Sequence, residues 1–575
     1  IEIAKSINKN PKMKIIGIHD GHNASVALMK NGRIIDAIQE ERFNRIKNFG
    51  GYPKKSIQYI LKKNNLDFDK IDEFVFASKI SYYKGLENRE NVMRKFESNF
   101  YSSYSFFHYL KKKFHKISPN YLKDYTRKKR FDNISKIRSK ELISEGVNLK
   151  KISFIEHHLC HASSAAYGSG NEKDTLVITL DSSGDYSSGS VNIFKKGSIE
   201  KILDIPSDDS LGRLYSYITY YLGMVPLEHE YKIMGMAPYS ETSRYSKEIS
   251  HIFRSMYYFD SDISFKISNK IKSAKNLGKF IEREIKQKRF DHVSAGLQIF
   301  LEEFVCEWIQ KLIKHTKIKN LALGGGIFMN VKLNKRILEL DCVDNMFIFP
   351  SCGDETNCFG ALYYKYYELT KKVPEKLKSF YLGNSYSNDE VKKIYDDYKF
   401  KNFKPKISFH ENIEKKIAEL IFENKIVARF KGNMEFGARS LGNRAILCNA
   451  SNIELVKEIN YIIKNRDFWM PFAPSLINET DYLINQKNTS MEFMIMATNF
   501  KNEYKNFFKG VIHPYDLSCR PNVVKKSVNE DYFNLINYYS ELSGHSVILN
   551  TSFNIHGLPI VSEPNHAFDV IDNAQ

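Results

Sequence analysis

Lys14 to Glu41 reads KIIGIHDGHNASVALMKNGRIIDAIQEE. An apolar strand runs into a polar Gly turn, a second strand follows, and Asn31-Gly32 turns the chain into a third. Thr175 to Ile205, TLVITLDSSGDYSSGSVNIFKKGSIEKILDI, repeats this pattern with Lys196-Gly197 at the second turn. Two copies of one three-strand meander predict a duplicated α/β architecture, with an Asp or His in each first turn.

Outward from the second copy, His157 and His161 in HHLCH are four apart, so on a helix both imidazoles leave one face. Asp181 is expected at the end of the strand LVITL, and Asp354 in the loop SCGDETN after the short strand MFIFP. Two His and two Asp from separate element ends form a plausible N/O metal site. A lone HxxxH would be read as core, but strand ends are where α/β folds keep their sites. Asn320 to Leu338, NLALGGGIFMNVKLNKRIL, is a strand, three glycines and a helix, a turn that lets backbone amides approach an anion. The meander pair is similar to the opening of each lobe in the actin, sugar-kinase and heat-shock ATPase superfamily. That likeness implies nucleotide phosphates between the two turns.

Tyr82 to Ile143, rich in Lys, Tyr and Phe, reads as a helical insertion of the first lobe, a cap or a lid near the acceptor. The pattern breaks near Lys371-Lys372-Val373-Pro374-Glu375, where a domain boundary is expected between 12–372 and 376–575. In the second unit Arg439, Arg444, Lys464, Arg466 and Arg520 lie in or beside Gly, Asn and Ser loops, with Asn550, Ser552 and Asn554 after a strand. Arginine forks with neutral Ser and Asn donors suit phosphate.

At 575 residues the chain is too long for one core. The net charge of +19 comes from lysine spread along the chain, and fits compositional bias at least as well as nucleic acid. Seven cysteines without a CxxC pair read as reduced cytosolic thiols, so a cytoplasmic location is expected. No run is long enough for a membrane span and no signal core opens the chain. The start lacks an initiator Met and the end falls in what reads as a helix, which leaves the completeness of both termini open.

GIHDGHNASVAL, EERFNRIK, EHHLCHASSAAY, TLDSSGD, EYKIMGMAPY, LGGGIFMNVKLN, PSCGDETNCFGA, FGARSLGNRAIL, RDFWMPFAPS and LNTSFNIHGLPIV form a specific set. Together they resemble the O-carbamoyltransferases of the nodulation-protein and antibiotic-tailoring type, which include cephalosporin and aminoglycoside carbamoyltransferases. The resemblance covers nearly the whole chain from about Lys14, the insertion aside. It implies an N-terminal two-lobed, ribonuclease-H-like duplicated fold and a C-terminal YrdC-like α/β domain. It implies that carbamoyl phosphate and ATP give carbamoyl-adenylate in the C-terminal domain. The N-terminal domain would then pass carbamoyl to a hydroxyl of a sugar or natural product, releasing AMP.

Carried onto this sequence, the catalytic His falls on His22, with His19 a nearby decoy. The metal ligands fall on His157, His161, Asp181 and Asp354, with iron(II) favoured, zinc reasonable, and Mg2+ accompanying ATP. Lys47, Ser182, Ser183, Gly326 and Asn330 fall on the adenylate loops, and Arg439, Lys464, Arg520, Asn550 and Ser552 on the carbamoyl-phosphate and ATP pocket. The family's Arg-Pro-Phe-Ala-Pro-Ser motif departs here, with Met470 in the Arg position. Either Arg466 covers that role or adenylate synthesis is weakened. A threonylcarbamoyl-type tRNA-modifying enzyme is the alternative, disfavoured by the fused second unit. A catalytically silent binding module is disfavoured by the intact His and Asp set. The acceptor and the oligomeric state are not legible.

Overall fold

The computed structural model describes residues 13–81, 89–101, 120–484, 487 and 489–574. Of the expected insertion, 82–88 and 102–119 lie outside the described residues, as do residue 12 and Gln575.

The first sheet is built from β1 (Lys14–His19), β2 (Ser25–Lys30), β3 (Arg33–Gln39), β4 (Glu73–Phe76) and β5 (Ile152–Phe154), in the order β3-β2-β1-β4-β5. The second is built from β6 (Thr175–Gly184), β7 (Ser187–Lys195), β8 (Ser198–Pro206), β9 (Asn320–Gly324) and β10 (Asn345–Ile348). Its order, β8-β7-β6-β9-β10, repeats the first position for position. In each, an antiparallel meander is extended by two parallel strands. The chain is thus α/β with a duplicated unit, as the two meanders predict, and the shared strand order agrees with the ribonuclease-H-like fold that the family resemblance implies.

Alternation decides which face each residue enters. Ile15 joins the main core, whereas Ile16 and Ile18 enter a separate cluster with Val26, Leu28 and Phe74 on the other face of the sheet. Burial on both faces explains why β1 and β6 read as continuous apolar runs.

A third sheet carries β11 (Val427–Phe430), β12 (Arg444–Asn449), β13 (Ala473–Leu476), β14 (Asn522–Val523) and β15 (Val547–Ser552), in the order β11-β12-β15-β13-β14. Between the sheets, the amide of Glu375 bonds the Gly32 carbonyl and the Leu382 carbonyl accepts from Ala37. The main core cluster takes in residues of all three sheets, among them Ile15, Val177 and Leu549. The described part of the insertion includes helix α1 (Asn120–Ser144), which is pinned by Arg138. That guanidinium donates to Asp20 Oδ2 at 2.7 Å and Oδ1 at 2.6 Å, and stacks over Phe76 and Phe154. No described helix is long and apolar enough to cross a membrane.

Candidate active site

Helix α2 (His157–Ser169) begins where Glu156 caps the amides of His158 and Leu159 at 3.0 and 2.8 Å. His157 and His161 leave its first turns toward β6. Asp181 does not sit past the end of a strand. It lies inside β6, in the stretch between Leu180 and Gly184 where regular pairing with β7 lapses, and the interruption frees its side chain to turn inward. Asp354 opens a short 3-10 turn after β10 and precedes helix α3 (Asn357–Thr370).

His157 Nε2 lies 3.5 Å from Asp181 Oδ2 and 3.4 Å from Asp354 Oδ1, and His161 Nε2 lies 3.5 and 3.2 Å from the same atoms. All four donor atoms fall within 4.8 Å of one another. Donors about 2.1 Å from a tetrahedral ion are separated by about 3.4 Å, so the set fits a divalent cation. Gly184 makes this possible, because a Cβ there would fall inside the His157 imidazole. Asp185 braces the helix start. It accepts from the amides of Lys79, Ile80, Ser81 and His157, at 2.7 to 2.9 Å.

Burial alone would lower the His157 and His161 pKa values, but the facing carboxylates overcome it and both are raised. Asp354 and Asp181 are lowered against their own burial by the two imidazoles. These four residues would hold a divalent cation as neutral imidazoles and ionised carboxylates.

His22 and His19 have different surroundings. His22 lines the central cavity, and burial holds its pKa below the ordinary value. His19 is buried; its Nε2 is 3.0 Å from the His22 carbonyl oxygen and 3.8 Å from Asp354. Its pKa falls to about 4, chiefly through burial. It holds the turn that presents His22.

The cavity, about 330 Å³, is bounded by both halves of the chain. From the first half of the chain His22, Lys47, Asp181, Ser182, Ser183, Gly326, Asn330 and Asp354 line it. From the second half Arg439, Lys464, Arg466, Arg520, Ser552 and Asn554 line it. Among the described residues none of these four cations forms an ion pair with a carboxylate. Burial, and for all but Arg439 the neighbouring cations, lower their pKa values. Lys464 Nζ is held by the Ser552 carbonyl and by Asn554 Oδ1 at 2.9 Å, and Arg520 Nε has no partner. Such a cluster is complementary to a polyanion.

Three residues read from sequence sit differently. Arg444 is fully buried in β12, donates to the carbonyls of Lys431, Gly432 and Asn384, and stacks 3.7 Å over Phe430. It closes loops and does not line the cavity. Asn550 also lies outside the cavity lining, bonding the Ser440 carbonyl at 3.2 Å and Ser475 Oγ at 2.9 Å. Its place mid-strand turns it between sheet and loop. Lys47 lines the cavity but is paired with Glu228 at 2.9 Å. Met470 is in the wall, its sulfur against Gly235, with Arg466 lining the same cavity.

Sequence reading missed Arg42, Glu228, Glu230, Tyr231 and Glu355, all in the cavity wall. All but Glu228 lie inside a motif quoted above, but nothing local separates a wall residue from a core or surface one.

These features define a two-lobed α/β protein with a third α/β unit closing a polyanion-complementary cavity. The model of the carbamoyltransferase N-terminus matches residues 14–363, and that of the carbamoyltransferase C-terminus matches 418–575. The chain belongs to the carbamoyltransferase family and is a carbamoyl-transferring enzyme. It is 32% identical to protein MJ1051 of Methanocaldococcus jannaschii over 96% of both chains. It is 28% identical to the nodulation protein NolNO of Sinorhizobium fredii, over 94% of this chain and 75% of that one. Among solved structures, HypF in its phosphate- and nucleotide-bound form is 13% identical at a TM-score of 0.34, covering 63% of this chain and 56% of that one.

Proposed function

We propose that this chain is an ATP-dependent O-carbamoyltransferase working through carbamoyl-adenylate. Residues 12–372 would carry transfer and 376–575 adenylate synthesis. The observation that carries this reading is one cavity lined by His22, Asp181 and Asp354 from the first half of the chain and by Arg439, Lys464, Arg466 and Arg520 from the second, with His157 and His161 against the two aspartates.

Carbamoyl phosphate gives up its phosphate to water, and the carbamate oxygen attacks the α-phosphorus of ATP, displacing pyrophosphate. Arg439, Lys464, Arg466 and Arg520 offset the negative charge gathered there. In the second step the acceptor hydroxyl attacks the carbamoyl carbon and AMP leaves. His22, neutral at pH 7, takes the hydroxyl proton. His157, His161, Asp181 and Asp354 would hold a divalent cation, Fe2+ before Zn2+, with Mg2+ accompanying ATP. Such a cation polarises a carbonyl or phosphoryl oxygen. The acceptor is a small hydroxylated compound, a sugar or natural product, and the reaction belongs to the cytoplasm.

The test is pyrophosphate release from ATP on adding carbamoyl phosphate, against bicarbonate plus threonine, with and without tRNA. Release with carbamoyl phosphate alone is expected. Release only with threonine and bicarbonate would replace this reading with threonylcarbamoyl chemistry.

A further inference from the structure

The peptide joining Gly437 to Ala438 belongs to the C-terminal unit, yet both its polar groups are held from the first two lobes. Its carbonyl accepts from Arg42 Nη2 at 2.8 Å, and its N–H donates to Ser351 Oγ at 3.1 Å. Arg42 and Ser351 are both buried. Ser351 donates its own proton to Glu355, so one hydroxyl acts as donor and acceptor at once. Arg42 is fixed in turn by Gln39 Oε1 at 2.8 Å and by Glu41 at 2.9 Å.

The contact is shaped for this purpose. Gly437 has φ +101, and a Cβ on it would stand 2.7 Å from Ser351 Cβ and Oγ. Ser351 itself adopts φ +55, which costs a non-glycine residue energy. On the far side of the loop, Glu435 accepts from Ser440 Oγ at 3.0 Å, Leu441 N at 2.7 Å and Arg444 N at 3.2 Å. The next residue after the clamped peptide is Arg439, a cation of the cavity wall. Arg439 therefore stands between an internal anchor and a clamp supplied by the other half of the molecule.

We infer that Arg42 and Ser351 are positioning residues that aim Arg439 at the polyanion, so the transfer lobes complete the anion site of the adenylate-forming unit. The inference rests on the proposed function for the identity of the anion, while its geometry stands without it. The probe is inorganic pyrophosphate, with binding measured by calorimetry on the full chain. Ser351→Ala is expected to weaken binding about tenfold, the worth of one well-placed hydrogen bond acting through a charged group. Arg439→Ala should weaken it at least as much. The double variant should be no weaker than Arg439→Ala alone, since residues that act through one another are not additive. Arg42→Lys breaks the same peptide's other bond and should behave alike, which covers the case of a misfolded Ser351 variant. Losses that add in full, undiminished binding in both Ser351→Ala and Arg42→Lys, or a wild-type chain that binds no pyrophosphate would each overturn the clamp. Pyrophosphate release from ATP is assayed separately. Its absence from wild type would overturn the proposed reaction and leave the binding cycle to judge the clamp.

Discussion

His22 and His19 are three residues apart in one turn, and their surroundings assign them opposite roles. His22 lines the cavity, whereas His19 spends its Nε2 on the His22 carbonyl. In single-turnover transfer from supplied carbamoyl-adenylate, His22→Ala should lower the rate by about 10²–10⁴-fold. His19→Ala should cost much less, and a more damaged His19 variant would reverse the assignment. Arg520 yields a second expectation. Its Nε is buried without a partner and its pKa is driven well down by burial and by Arg439 and Arg466. Arg520→Leu should therefore raise the stability of the ligand-free chain by about 1 kcal/mol while weakening anion binding. Wild type should melt higher with pyrophosphate, and the variant should lose most of that gain. Thermal melts of both chains, with and without pyrophosphate, decide it. A variant less stable than wild type would show that the guanidinium is a structural prop.

At the scale of elements, the His/Asp cluster depends on a hairpin meeting a helix. Gly184, just before the β6–β7 turn, leaves the space that the His157 ring occupies. Gly184→Ala should push the imidazole aside and reduce metal affinity by about 10–100-fold, as disturbing the supports of ligands commonly does. A competition titration with a chelator measures this. Unchanged affinity would mean that the cluster holds no metal or that the ring moves freely. His161→Ala removes a donor outright and should abolish most bound metal by elemental analysis.

Across the whole molecule, the last helix reports how the units sit together. His566 lies in α4 (Pro564–Asn573), and its pKa is lowered to about 4 by burial and then by Arg45 of the first lobe. Nearby, Arg45 donates to the Ile560 carbonyl at 3.0 Å, and Ser562 Oγ donates to the Arg42 carbonyl at 2.7 Å. With its folded pKa below its unfolded value, the neutral ring's contribution is fully present above about pH 6.5. It is lost as pH falls toward 4. His566→Asn should flatten the acid limb of stability by about 1 kcal/mol across that window, since the part-exposed ring keeps some solvent screening. Denaturant titrations at several pH values test it, and an acid limb identical to wild type would refute it.

The duplicated sheets were legible in the chain because strand pairing is local. Each meander carries its own alternation and turn residues, so its two hairpins are written within about thirty consecutive positions. The HxxxH pair was legible for the same reason, since helical spacing is a property of neighbours. The cavity wall was legible only in part. Arg439 and Arg444 look alike in FGARSLGNR, yet one faces the cavity and the other is spent on carbonyls and a Phe ring. Asn550 and Ser552 leave one strand with the same promise, and only Ser552 reaches the cavity. Those fates depend on which distant segment arrives opposite each side chain. Local sequence determined the elements and the chemistry on offer; tertiary packing decided which groups face the common cavity, because a contact between Arg42 and Gly437 is set by the docking of whole units and has no local signature.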